Sequence, residues 1–164
     1  MMKYRILTRE ELEELESEFV TFLAANGIPA EDWVKIKEKE VEKSQKLIEV
    51  FSDVVFEKIL STVHFLEHRQ QDTIRIFRFD EEKITMNGIH IEGKSAIDFT
   101  KNQDTNTLVQ LYNLNPGKLK IFTAEKRYKE DKLQEIFKLM QSGAQILKND
   151  RLFQTIEQLK TSHP

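Results

Sequence analysis

Apolar residues recur at helical spacing from Thr8 to about Leu60. They alternate with polar ones from about Thr62 to Thr123, and return to helical spacing from Ala124 onward. This order predicts helices, then a mostly antiparallel sheet, then helices again, which is an α+β class. Helices are expected near 9–25, 30–39 and 42–60, followed by four or five strands and two closing helices near 125–148 and 150–160. A chain of 164 residues has room for one such domain, with 1–60 helical, 61–123 sheet and 124–164 helical.

Local signals support this division. Thr8-Arg9-Glu10-Glu11 is a capping box, in which the Thr hydroxyl and the Glu side chain satisfy each other's backbone N–H groups. Leu12, Leu15, Phe19, Phe22 and Leu23 form the stripe that follows, with Glu clustered where the helix dipole favours negative charge. Asn26-Gly27 is a stop signal, and Pro29 opens a second helix with Trp33 and Ile36, or Val34, as its buried side. Residues 35–46 carry few apolar side chains and read as a solvated stretch. Leu47, Phe51, Val54, Val55 and Ile59 then predict a buried helix.

The middle segment reads as hairpins. Two β-rich runs flank the tetrad Arg69-Gln70-Gln71-Asp72, and Thr73–Phe79 alternates cleanly. Asp80–Lys83 is a second turn. Ile84 and Met86 then alternate on even positions, whereas Ile89 and Ile91 alternate on odd ones. That phase shift predicts a tight turn or bulge at Asn87-Gly88. Lys101–Thr107 reads as a polar loop. Asn115-Pro116-Gly117 predicts a last hairpin between Leu108–Asn113 and Lys118–Thr123. Leu133, Ile136, Phe137, Met140, Ala144 and Leu147 predict one long helix, and Asn149-Asp150 caps the next, with Leu152, Phe153, Ile156 and Leu159 on its apolar side.

Composition narrows the chemistry. With no Cys, disulfides, thiol catalysis and thiolate metal sites are excluded. No apolar run reaches the ~18 residues a membrane helix needs, and the acidic N-terminal stretch lacks a signal-peptide core, so a cytoplasmic protein is expected. Neither phosphate-binding glycine motif occurs, and no Ser lies in a nucleophile-elbow context. His90 and His163 stand outside any motif. No cofactor is implied.

One string looks catalytic. His64-Phe65-Leu66-Glu67-His68 fits H-x-x-E-H, an inverted zinc-hydrolase motif that works on a helix. On the strand expected here the two imidazoles lie ~13 Å apart, too far to share an ion, and Glu67 faces away. Neither metal binding nor catalysis is expected from them.

A second constellation is Arg75, Phe77 and Phe79, which alternate on one strand face while Ile74 and Ile76 take the other. Aromatic residues interleaved with Arg can stack bases, but a sheet covered on both faces produces the same two stripes. The net charge of −3 is unevenly spread. The first sixty residues are acidic, and the segment from Lys118 on is basic, with Lys118, Lys120, Lys126, Arg127 and Lys129 close together. The expectation that follows is a non-enzymatic interaction module pairing with itself or with another protein. Nucleic-acid binding through the basic segment is the second reading, and a zinc hydrolase the remote third.

The strings PAEDWVKI, FSDVVFEKIL, HFLEHR and KIFTAEKRYKEDKLQEIFKLMQSG together resemble a family of small uncharacterised proteins from Bacteroidetes-type bacteria. The resemblance spans most of the chain. It implies a compact bacterial cytoplasmic protein and carries over no catalytic residue.

Overall fold

A computed structural model describes residues 2–101 and 103–162; His163 lies outside them. The protein is α+β, with helices first, an antiparallel sheet in the middle and a helix at the C-terminal end. Backbone contacts divide it into two compact units, 1–61 and 62–164.

In the first unit, α1 (Arg9–Glu14) and α2 (Glu16–Ala25) are separated only at Leu15, where a single helix was expected. The capping box forms: Thr8 Oγ1 accepts from Glu11 N–H at 3.2 Å, and Glu11 Oε1 from Thr8 N–H at 2.8 Å. The Arg5 guanidinium and the Thr8 N–H together hold the Glu11 carboxyl down at about 2. α3 (Ala30–Lys39) and α4 (Val41–Leu60) follow. Phe19, Phe22, Trp33 and Phe51 meet ring to ring, with centroids 4.9 to 6.3 Å apart. The extended N-terminal segment is tied to α4 by two short polar side chains. Ser52 Oγ accepts from Leu7 N–H at 2.9 Å, and the Asp53 carboxylate accepts from the N–H groups of Lys3 and Tyr4. Two residues assigned to the buried stripe of α4 lie outside it: Val54 is 51% and Ile59 42% exposed. Ser44 and Ser52, polar in the sequence, are buried on α4.

In the second unit, β1 (Phe65–Gln70), β2 (Thr73–Phe79) and β3 (Lys83–Ile91) form a continuous meander. The expected hairpin around 69–72 is present. β3 runs straight through Asn87-Gly88 with an unbroken register, so there is neither turn nor bulge. The apolar alternation fails there for another reason: Asn87 is a polar residue buried at 0% exposure on one face, and Gly88 leaves the other face to a neighbour.

The expected hairpin strand Leu108–Asn113 is instead part of a helix, α5 (Thr105–Leu114). Asp104, inside the segment read as a loop, caps it by accepting from Thr107 N–H at 2.7 Å. β4 (Leu119–Arg127) is longer than its apolar residues suggest and pairs along its whole length with β3. The long helix expected over 125–148 is α6 (Lys132–Gln141) followed by β5 (Gln145–Leu147). Gly143, at φ +113, takes a conformation that ends the helix. α7 (Arg151–Ser162) follows where Asn149-Asp150 predicted it, with Asn149 Oδ1 accepting from Arg151 N–H.

The sheet order is β4-β3-β2-β1-β5, antiparallel throughout. On the first face, Ile74, Ile76, Ile89, Ile91 and Leu119 form a dry core with Phe153 and Ile156 of α7 and Leu108 of α5. α6 carries the chain from the β4 edge to the β5 edge. It is tied to the second face by Lys126–Glu135 (3.7 Å) and, just past its end, by His68 Nε2 3.2 Å from the Ser142 carbonyl oxygen.

Candidate functional site

The second face is built by register. Arg75 of β2, Gly88 of β3 and Phe122 of β4 stand in one cross-strand row, and Phe77, Met86 and Ala124 in the next. A Cβ built at Gly88 would lie 2.3 Å from Phe122 Cζ, so the missing side chain is what lets the ring cross β3. The Arg75 guanidinium then stands 5.6 Å from the Phe122 ring centroid, within cation–π range, and donates to Gln70 Oε1 at 3.1 Å. Arg75, Phe77, Met86 and Phe122 all remain partly exposed, whereas Phe79 and Ile84 in the next row, and Leu66 beside Phe77 on β1, are buried.

Arg75 and Phe77 therefore share an accessible surface, and Phe79 shares the face but is only 3% exposed. Lys120 and Lys126 lie on the same face of β4, with Lys120 exposed beside His90. Lys126 lies 3.7 Å from Glu135 and Arg127 3.7 Å from Glu82, with more than half of each basic side chain still exposed. Lys118 sits in the turn before β4, and its carbonyl accepts from Glu92 N–H. Lys129 follows the strand, its N–H donating to Glu135 Oε1 at 2.9 Å. Burial pushes the Glu135 carboxyl up, but the N–H groups of Lys129 and Glu130, with Lys126 and Lys138 nearby, outweigh it and hold the group below its ordinary range. Tyr128 donates to the Asp80 carbonyl at 2.6 Å, and burial, reinforced by the Asp80 and Glu135 charges, pushes its hydroxyl up to about 12. Of these basic residues Lys120 and Lys126 share the face with the aromatics, and the rest lie along the edge of the sheet.

The sequence reading missed Phe122, Met86 and Gly88 as parts of this surface. Only the pairing register brings them beside Arg75 and Phe77, and the alternation Lys120, Phe122, Ala124 and Lys126 was the available signal.

His64 precedes β1, and its carbonyl accepts from Phe79 N–H. Glu67 lies on the opposite face from His68 and pairs with Arg69 at 3.4 Å. Among the described residues there is no group of three or more His, Asp or Glu placed to hold a metal ion. An open cleft of about 650 Å³ lies between the β1–β2 turn and the segment from Ile91 to Ile97, and Gln70, which accepts from Arg75, is in its lining. Arg69 Nη1 donates to the adjoining Phe99 carbonyl and to Gln103 Oε1.

Residues 2–161 match the model of a family described as a family of unknown function (DUF6495). No curated protein and no solved structure matches the chain.

Proposed function

We propose that this chain, which belongs to the DUF6495 family of unknown function, is a non-enzymatic protein-interaction module working through the uncovered part of its second sheet face. The carrying observation is the Arg75–Gly88–Phe122 row. A glycine leaves room for an aromatic ring to cross β3, an arginine stands within cation–π range of that ring, and Phe77 and Met86 extend the surface, with Arg75, Phe77, Met86 and Phe122 partly open to solvent. Flat aromatic surface edged by arginine is the composition that concentrates binding energy in protein interfaces.

Site-specific photo-crosslinking in cells tests this reading. A crosslinker at position 122 should give a discrete protein adduct that Arg75→Glu abolishes, and one at Asn106 on the exposed side of α5 should not. Equal, diffuse labelling from both positions would remove the proposal. Light scattering over a concentration range then tells whether the partner is a second copy.

A second reading, nucleic-acid binding, is favoured by one observation: Lys120 shares the face with Arg75, Phe77 and Phe122. It is weakened because Arg127 lies on the opposite face of β4 and Lys118 and Lys129 lie beyond the ends of the strand. Oligonucleotide affinity falling steeply between low and physiological salt would support it, and salt-independent binding would remove it.

A further inference from the structure

The two edges of the sheet are unlike. β5 closes one edge with three residues, but β4 presents nine residues with no bulge and no proline. Among the described residues, no strand pairs with the outer side of β4. Which groups it presents follows from the ladder. Glu92 N–H donates to the Lys118 carbonyl, whereas Ile91 N–H turns away from β4 to the Asp72 carbonyl. Even-numbered β4 residues therefore aim both backbone groups at β3. Leu119, Ile121, Thr123, Glu125 and Arg127 aim theirs outward. Such a row is a template for another strand unless something blocks it.

The side chains select what can dock. Lys120, Phe122, Ala124 and Lys126 stand along the second-face side of this edge, flanked by Lys118, Arg127 and Lys129, with Glu125 the one acidic residue of β4. This basic edge belongs to a chain of net charge −3. A second copy laid antiparallel about Thr123 would set Lys120 against Lys126 twice, and like charges directly opposite repel. Run parallel to β4, an extended segment with acidic side chains six residues apart and an apolar one two residues inside the first would meet Lys120, Phe122 and Lys126 in turn.

We propose that β4 accepts an extended acidic segment of another protein as a sixth strand. The inference rests on the interaction-module reading and names the partner class of that surface.

The test uses the full chain labelled with ¹⁵N and the capped heptapeptide Glu-Val-Phe-Thr-Val-Thr-Glu. The expected result is saturable binding that weakens with salt, with amide exchange slowed roughly tenfold or more at Leu119, Ile121, Thr123, Glu125 and Arg127. Replacing both peptide glutamates by lysine should weaken binding roughly tenfold or more. Thr123→Pro removes the central outward donor and spares the ladder to β3, so it should abolish binding in a folded protein. Should that variant fail to fold, N-methylating the peptide amides that face β4 removes the same bonds from the other side. No binding at roughly 1 mM peptide, or equal binding of the lysine peptide, overturns the inference. Perturbation confined to Arg75, Phe77 and Phe122 also overturns strand addition but leaves the interaction surface standing. Failure of the crosslinking at position 122 removes that surface independently.

Discussion

The two faces of the sheet use the same alternation for different ends. The first is aliphatic: Ile74, Ile76 and Ile89 are at most 1% exposed beneath α7, and they carry stability. The second mixes Phe, Met, Arg and Lys, and its middle stays partly open. An apolar stripe in a strand states only that something covers it some of the time. The kind of side chain tells more than the period. β-branched aliphatics in a row point to permanent cover, whereas aromatics interleaved with arginine suit a surface that is sometimes wet.

The sharpest break of the contrast is Asn87→Asp. Asn87 Nδ2 donates to Glu157 Oε1 at 3.0 Å, and its Oδ1 has no partner. A carboxylate at this fully buried position faces another one, so the variant should lose about 3 kcal/mol or more in urea denaturation at neutral pH. Next comes a matched pair of neighbours on opposite faces. Ile76→Ala should cost about 3 kcal/mol, and Phe77→Ala, though the larger truncation, only about 1 kcal/mol. Equal losses would show that the second face is also core.

Gly88→Val should leave stability within about 1 kcal/mol, since a β-branched residue suits a strand but displaces the Phe122 ring. The ring-current shifts of Phe122 on its neighbours should vanish, which separates the surface from the fold. The smallest effect is a pH dependence on the first face. The Asn87 and Lys160 hydrogen bonds hold the Glu157 carboxyl below its ordinary 4.5. Because the folded-state value is depressed, the stabilisation is present above the unfolded value and fades as pH falls through the folded one. The stability gap between wild type and Glu157→Gln should therefore be widest at neutral pH and shrink below about 4.5.

The helical half and the β1–β2 hairpin were legible because buried side chains there repeat with a clear period. Legibility failed where the signal was polar or absent. Asp104 capping α5 was hidden in a polar run, and Asn115-Pro116-Gly117 drew the reading toward a hairpin, although Leu108 and Leu111 stand at helical spacing. The end of β4, residues 123–127, is exposed on both faces, so no apolar pattern could mark it. Gly143 divided a stripe whose members Ala144 and Leu147 continue the helical count by coincidence. The candidate surface was half visible, because Arg75 and Phe77 lie on one strand and Phe122 joins them only through register.

The helix that seals the first face arrives late. Glu157 lies 70 residues downstream of the Asn87 it binds, whereas β1, β2 and β3 are joined by tight turns. During synthesis the meander can zip up while its isoleucines lack the α7 part of their roof, because α7 is still being made or still inside the ribosome. For that interval the nascent chain displays a greasy sheet. Its vulnerability to aggregation should depend on how fast the last dozen residues of α7 are delivered, a property of translation rate that no measurement on the finished protein reports.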